Sequence, residues 1–152
     1  MRIQNIFLCW ILFVLSVTVF AQSTNYDWNN MIGFACFKNA RTTISVRHIE
    51  VLIKQKDFDS IKILMNSPIP AIKYLSVKTC EILERKGMIQ FSTVEREVVN
   101  EIKKSKGIIY VCSGCTEIES YTLVQLFADN SISLNKVVVD WVDECLKNKS
   151  TN

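Results

Sequence analysis

Two cysteines separated by two residues, in the run Cys112-Ser113-Gly114-Cys115, come closest to a chemical motif in this sequence. They follow an apolar run, Ile108 to Val111, that is typical of a strand. A Cys-x-x-Cys pair before a helix can form a redox centre, because the helix N-terminus lowers the pKa of the attacking thiol. The same spacing also occurs in zinc sites and in structural disulfides.

The rest of the chain does not supply what a redox or zinc site needs. A thioredoxin domain has alternating strands and helices and a proline after the motif, whereas Pro68 and Pro70 both precede it. A zinc site requires two more ligands, and the available residues stand alone: Cys36, Cys80, Cys145 and His48. We therefore expect a structural disulfide here, with no metal and no cofactor.

Other reactive residue types occur without a catalytic pattern. His48 is the sole histidine and lies beside Arg47 and Glu50 on a charged helix, so it does not indicate a Cys–His hydrolase. The carboxylates have ordinary solvent-face spacing: Glu95, Glu97, Glu101, Asp140, Asp143 and Glu144. The aromatic residues Tyr110, Tyr121 and Trp141 alternate with apolar positions and are expected in the core. No catalytic residue is predicted.

The first 21 residues predict a cleavable secretory signal. Arg2 supplies the positive region, the chain from Ile6 to Phe20 is almost wholly apolar, and Ala21 ends a cleavage-like sequence. An apolar run of about 15 residues is short for a membrane span, which needs about 20. We expect residues 22–152 to form a single domain in the periplasm or outside the cell, without a membrane anchor.

An oxidising compartment gives the cysteines a structural role. The chain has six cysteines, and removal of Cys9 with the signal leaves five, so at least one thiol is unpaired within one chain. Cys112 and Cys115 could bridge each other, or each could join a different helix to Cys36 and Cys145. Cys80 lies within an apolar helical stripe and is expected to be a free, buried thiol.

Helical periodicity dominates the mature chain and predicts an all-α fold. About seven segments are expected to pack as antiparallel hairpins. The first would span Asn25 to Phe37 and the second Ile44 to Gln55, and Asp57 would cap the third. The fourth would begin at Ser67 and Pro68 and end at Gly87.

Capping signals place the remaining helices. Ser92-Thr93-Val94-Glu95 is a capping box that predicts the fifth helix, and Thr116-Glu117-Ile118-Glu119 is a second box that predicts the sixth. Ser133 is expected to cap the last helix. The run from Ile108 to Val111 is the one segment that favours a strand.

Two resemblances support a helical-hairpin architecture. The stretch Asp59–Leu83, with Asn66-Ser67-Pro68 between two helices, resembles one helical hairpin of the HEAT or armadillo kind. That resemblance implies a stack of hairpins and no catalysis. In size, signal peptide, helix content and an early helical cysteine, Cys36, the chain is also similar to small exported immunity proteins. These proteins neutralise the cell-wall amidase toxins of type VI secretion.

These observations favour a non-enzymatic exported protein that binds another protein. An inhibitor or immunity-type protein that neutralises a toxin is its most concrete form. The alternatives are a thiol–disulfide redox protein using Cys112 and Cys115, and a carrier of a small ligand. The odd cysteine and the 49% apolar composition also allow a homodimer. The net charge of +3, with lysines and acids interleaved, does not indicate nucleic-acid binding.

Overall fold

The computed structural model of the protein describes residues 26–36, 39–114 and 117–147. The expected signal, residues 1–21, lies outside the described residues. The elements follow in this order: a 3-10 turn (Trp28–Asn30), β1 (Met31–Ile32), α1 (Ile44–Gln55), α2 (Phe58–Leu64), α3 (Pro70–Arg85), α4 (Thr93–Lys104), β2 (Ile108–Ser113), β3 (Glu117–Thr122), α5 (Leu123–Ala128) and α6 (Ser133–Lys147). Among the described helices, none has the length and apolar character needed to cross a membrane.

The prediction of an all-α fold is wrong, because a three-stranded mixed sheet accompanies the helices. The strand order is β1-β2-β3, with β1 parallel and β3 antiparallel to β2. Strand β2 contains the run from Ile108 to Val111 that favoured a strand, and it lies in the centre of the sheet.

The segment Glu117–Thr122 corrects the predicted sixth helix. It forms β3 and pairs with all six residues of β2, from Ser113 opposite Glu117 to Ile108 opposite Thr122. The helix begins only at Leu123, and its capping box is formed by Thr122 and Gln125. The pairing of six residues with β2 therefore outweighs the local capping signal that ends at Glu119. Sequence alone could not show this pairing.

The segment before α1 corrects the predicted first helix. The Asp27 side chain caps a helical start by accepting a hydrogen bond from the Asn29 amide. The helical segment that follows is only the three-residue turn Trp28–Asn30. Met31 and Ile32 then pair with Tyr110 and Val111 of β2 and are fully buried. Their apolar spacing therefore reflects burial in a sheet, while residue 37 of the predicted helix lies outside the described residues.

Several helix boundaries agree with the sequence signals, and one does not. Asp57 caps α2, the Ser92–Glu95 capping box begins α4, and Gly87 follows α3 with a left-handed φ of +69°. Helix α3, however, begins at Pro70 and not at Pro68. Its N-cap residue, Ile69, provides no side-chain cap, so the first amides depend on water or on another part of the chain.

Helix α3 is the centre of the hydrophobic core. It packs against α1, α2, α6 and β2, and ten of its sixteen residues are buried. A second, smaller cluster contains Met31, Cys36 and Cys112, with Tyr110 and Ile118 packed against it. The sheet therefore borders the main core as well as this small cluster.

Candidate functional site

The first feature of the site region is a disulfide between Cys36 and Cys112. It joins residues 76 apart in sequence, with their Cα atoms 5.9 Å apart, and both residues are buried. Cys112 is thus bonded to a cysteine before α1 and is not bonded within its own Cys-x-x-Cys run. Cys115, the other half of that run, lies outside the described residues.

Two further cysteines are free thiols in the described structure. Cys80 lies fully buried in α3, where burial raises the pKa of its thiol to about 12. Cys145, a disulfide candidate from the sequence, is also free, and the bond of Cys36 is to Cys112. Burial, and then the nearby Glu50 carboxylate, raise the pKa of the Cys145 thiol to about 11.

An open groove of about 400 Å³ lies between α1 and α6, and we call it the α1–α6 groove. It is closed on one side by the loop between β1 and α1. Its lining consists of Phe34, Thr42, Glu50, Lys54, Val137, Asp140, Trp141, Glu144 and Cys145. The rings of Phe34 and Trp141 lie 5.2 Å apart at 57°, so two aromatic side chains form one wall. The groove therefore offers apolar contact at a concave surface.

Carboxylates outnumber ammonium groups in this groove. The groove is lined by Glu50, Asp140 and Glu144 with one lysine, Lys54, and Asp140 also pairs with Lys136 at 2.6 Å. Lys54 lies 2.5 Å from Glu50, and this hydrogen bond raises the pKa of Lys54. Within the described residues Glu144 is in no ion pair. The aromatic wall and the acidic rim together suit an aromatic or cationic side chain.

Helical spacing explains how these side chains come together. Val137, Trp141 and Glu144 repeat at intervals of four and three on α6, so they share a face. Glu50 and Lys54 are four residues apart on α1 and face them across the groove. The sequence prediction placed Trp141 in the core, whereas the structure leaves it half-buried at the groove. The spacing with Val137 and Glu144 is the signal that could have identified this face.

The disulfide helps to position the aromatic wall. Phe34 lies two residues from Cys36, and the loop that carries it is closed by hydrogen bonds between Gly33 and Thr43, of 2.9 and 3.2 Å. A Cβ atom at Gly33 would overlap the sulfur of Cys36 and approach Cys112, so this close packing requires glycine. The bond to Cys112 thus anchors the loop that brings Phe34 to Trp141.

The other sequence candidates do not converge on a reactive centre. His48 is exposed on α1 and does not line the groove. Glu95 caps α4 and lies 3.1 Å from Lys62, and the hydrogen bond from the Ser92 amide lowers the pKa of its carboxyl. Asp143 pairs with Lys86 at 2.8 Å. Among the described residues, no group of three or more His, Cys, Asp and Glu side chains could hold a metal ion.

In the comparison with known proteins, no family model, curated protein or solved structure matches the chain. The resemblances to HEAT or armadillo hairpins and to immunity proteins consequently stay predictions.

Proposed function

We propose that the protein is a non-enzymatic, exported binding protein, and that the α1–α6 groove contacts another protein. The observation that carries this proposal is the pair Phe34 and Trp141 at an open concave surface with an acidic rim. Aromatic side chains in such positions are frequent anchors of protein interfaces, because they bury a large area at low cost in conformational entropy. The partner would insert an aromatic or cationic side chain between α1 and α6.

The state of the cysteines supports binding over thiol chemistry. A reactive cysteine needs a lowered pKa and access to solvent. Cys112 is bonded to Cys36, and burial raises the pKa of both Cys80 and Cys145. For the redox alternative with Cys112 and Cys115, we expect no turnover in an insulin-reduction assay. Catalytic reduction of insulin by the mature chain would contradict this.

A disulfide across 76 residues supports an oxidising compartment, where such bonds persist. In that setting, an inhibitor or immunity-type protein that neutralises a toxin is the most concrete form of the proposal. We expect the N-terminus of the exported protein to begin at Gln22. Recovery of the chain with its N-terminal 21 residues intact and its cysteines reduced would contradict export.

The binding proposal can be tested by site-specific photo-crosslinking in the producing cell. A crosslinker at Val137, which lines the groove, is compared with one at Val51, which is similarly exposed on α1 but does not line the groove. We expect one defined protein adduct from Val137, lost in Trp141→Ala, and none from Val51. Equal adducts from both positions, or adducts that survive Trp141→Ala, would exclude the groove as the contact surface.

A further inference from the structure

Strand β3 is an edge strand, and within the described residues one of its sides is unpaired. It is the last strand in the order β1-β2-β3, and no other described strand pairs with it. Edge strands of this length are templates for another strand, because their outward amides and carbonyls lack backbone partners. At the opposite edge, β1 has only two residues, Met31 and Ile32, and offers much less backbone.

The hydrogen-bond pattern identifies which groups of β3 face outward. The amide of Leu123 donates to the carbonyl of Gly107 at 2.9 Å and extends the β2–β3 ladder by one pair. Hydrogen-bonded pairs alternate in an antiparallel ladder, so Glu119 and Tyr121 bond to β2 while Ile118 and Ser120 point away. The next outward amide, that of Thr122, already donates to Gln125 at 2.8 Å. The free edge therefore presents the backbone of Ile118 and Ser120.

The side chains on this strand give the edge a charge. Glu117 and Glu119 are both exposed and, within residues 26–36, 39–114 and 117–147, neither forms an ion pair. Their neighbours on β2 are Ser113 and Val111, which carry no charge. The Tyr121 hydroxyl donates to Glu119 at 2.8 Å and keeps that carboxylate on the same face of the strand. A strand added beside β3 would thus meet, on one face, two carboxylates that lack a cationic partner.

We propose that β3 accepts an extended segment of a partner protein that carries basic residues at alternate positions. The outward groups of Ile118 and Ser120 would bond to the partner's backbone, and its lysines or arginines would stand opposite Glu117 and Glu119. Opposite charges at facing positions stabilise a strand pair. This contact goes beyond the proposed function, since it uses a surface other than the groove and names the chemistry of the partner.

The same features disfavour pairing of β3 with a second copy of itself. Antiparallel pairing centred on Ile118 would place Glu117 opposite Glu119, and pairing centred on Glu119 would place two copies of that residue opposite each other. Like charges at facing positions destabilise a strand pair. Pairing centred on Ser120 would need the amide of Thr122, which Gln125 already occupies. The charge and the backbone therefore favour a basic partner.

Amide exchange of the oxidised mature chain, measured by NMR, tests the proposal with a synthetic peptide as probe. The probe alternates lysine and valine over six residues, and the control peptide has glutamate in place of lysine. We expect the lysine peptide to slow exchange of Ile118 and Ser120 about tenfold at about nine-tenths occupancy. The amides of Glu119 and Tyr121, already bonded to β2, should change little. No slowing, or equal slowing by the glutamate peptide, would overturn the proposal.

Variants of one residue separate strand addition from other binding. Ser120→Pro removes an outward N–H that β2 does not use, so the fold should persist while protection of Ile118 is lost. Ser120→Ala keeps the N–H and should bind as the original chain does. The double variant Glu117→Gln with Glu119→Gln should weaken binding of the lysine peptide without weakening binding of the glutamate peptide. This test holds whether or not the Ser120→Pro variant folds.

Two further measurements test whether a second copy of the chain occupies the edge and whether the peptide binds at β3 or in the groove. Protection that appears without peptide and grows with protein concentration would show a second copy on the edge. Trp141→Ala should leave peptide binding unchanged, because Trp141 lines the groove and is not part of β3. Parallel loss of peptide binding in Trp141→Ala would place the peptide in the groove and overturn strand addition.

Discussion

The helical body and the sheet end of the molecule are held together by different kinds of interaction. In the helical body, α1, α2 and α6 pack against the buried apolar face of α3, and α4 joins this core through Val99 and Ile102. The sheet end, residues 26–36 with β2 and β3, depends on a short parallel pairing, one disulfide and one buried amide. Burial spread over many side chains tolerates local change, whereas the sheet end should fail when a single group is lost.

Asn30 illustrates this dependence. Its side-chain amide donates to the carbonyl of Ile108, and its oxygen accepts a 2.9 Å hydrogen bond from the amide of Ala71. Ala71 lies in the first turn of α3, whose N-cap Ile69 has no capping side chain. One residue therefore caps the central helix from 41 positions away and fixes it to β2.

Removal of the disulfide is expected to have the largest effect. Cys36→Ala with Cys112→Ala should lower the free energy of unfolding by about 2–5 kcal/mol, because the bond closes a long loop in the unfolded chain. Denaturant unfolding of the oxidised protein measures this. Cys145→Ala, which removes a free buried thiol, is the matched control. A loss no greater than that of the control would contradict a structural role for the bond.

Asn30→Ala should have the next largest effect, about 1–3 kcal/mol, because it leaves the buried amide of Ala71 and the carbonyl of Ile108 without a partner. Thermal unfolding and amide exchange of Ala71 measure the change. Asn29→Ala is the control, since Asn29 is exposed and its hydrogen bond to Asp27 uses only its backbone. Equal losses in the two variants would show that the capping amide does not matter.

Tyr74→Phe probes the helical body and should cost less, about 0.5–1.5 kcal/mol. The Tyr74 hydroxyl donates to Asn135 at 3.0 Å in the core, and the variant leaves only that acceptor unpaired. Burial raises the pKa of Tyr74, so the group stays a neutral donor across the usual pH range. Tyr121→Phe, at a more exposed hydroxyl, is the control and should change stability little. If Tyr74→Phe lowered the free energy of unfolding more than Asn30→Ala does, the helical body would be the more sensitive region, which contradicts the account.

The smallest expected effect is a pH dependence at the start of α4. The Ser92 amide lowers the pKa of Glu95 in the folded protein below its usual value of about 4.5. A lowered folded pKa stabilises the protein above the unfolded pKa, and this contribution is lost as the pH falls through the folded pKa. The difference in Tm between the original chain and Glu95→Gln should therefore shrink on acidification. A Tm difference between the two chains that stays constant on acidification would exclude the effect.

The sequence predicted most of the helical body and little of the sheet end, and the reason is the range of the determining contacts. Asp57, Gly87 and the Ser92–Glu95 box act within one helical turn, so their residue types reveal the helix ends directly. Glu117–Thr122 forms a strand because β2 lies beside it, despite a local capping signal for a helix. Such a contact leaves no trace in local spacing.

The candidate site divides in the same way. Cys80 and the disulfide candidates could be named from spacing and compartment, but the pairing of Cys36 with Cys112 depends on the parallel contact of β1 with β2. Its alternation with apolar positions predicts Trp141 in the core. Its position at the groove follows from the packing of α6 against α1, which periodicity alone does not specify.

Disulfide mapping of the protein isolated from the producing cell tests the account most directly. Thiols are blocked without reduction, and the tryptic peptides are sequenced by tandem mass spectrometry. Fragment ions between Cys112 and Cys115 show which of the two is bonded, because residues 107–136 form one tryptic peptide. We predict that the peptide containing Cys36 is linked to the peptide containing Cys112, and that Cys80 and Cys145 carry the blocking group after unfolding in its presence. A bridge between Cys112 and Cys115, or one that includes Cys145, would contradict the anchored sheet end and the groove that it positions.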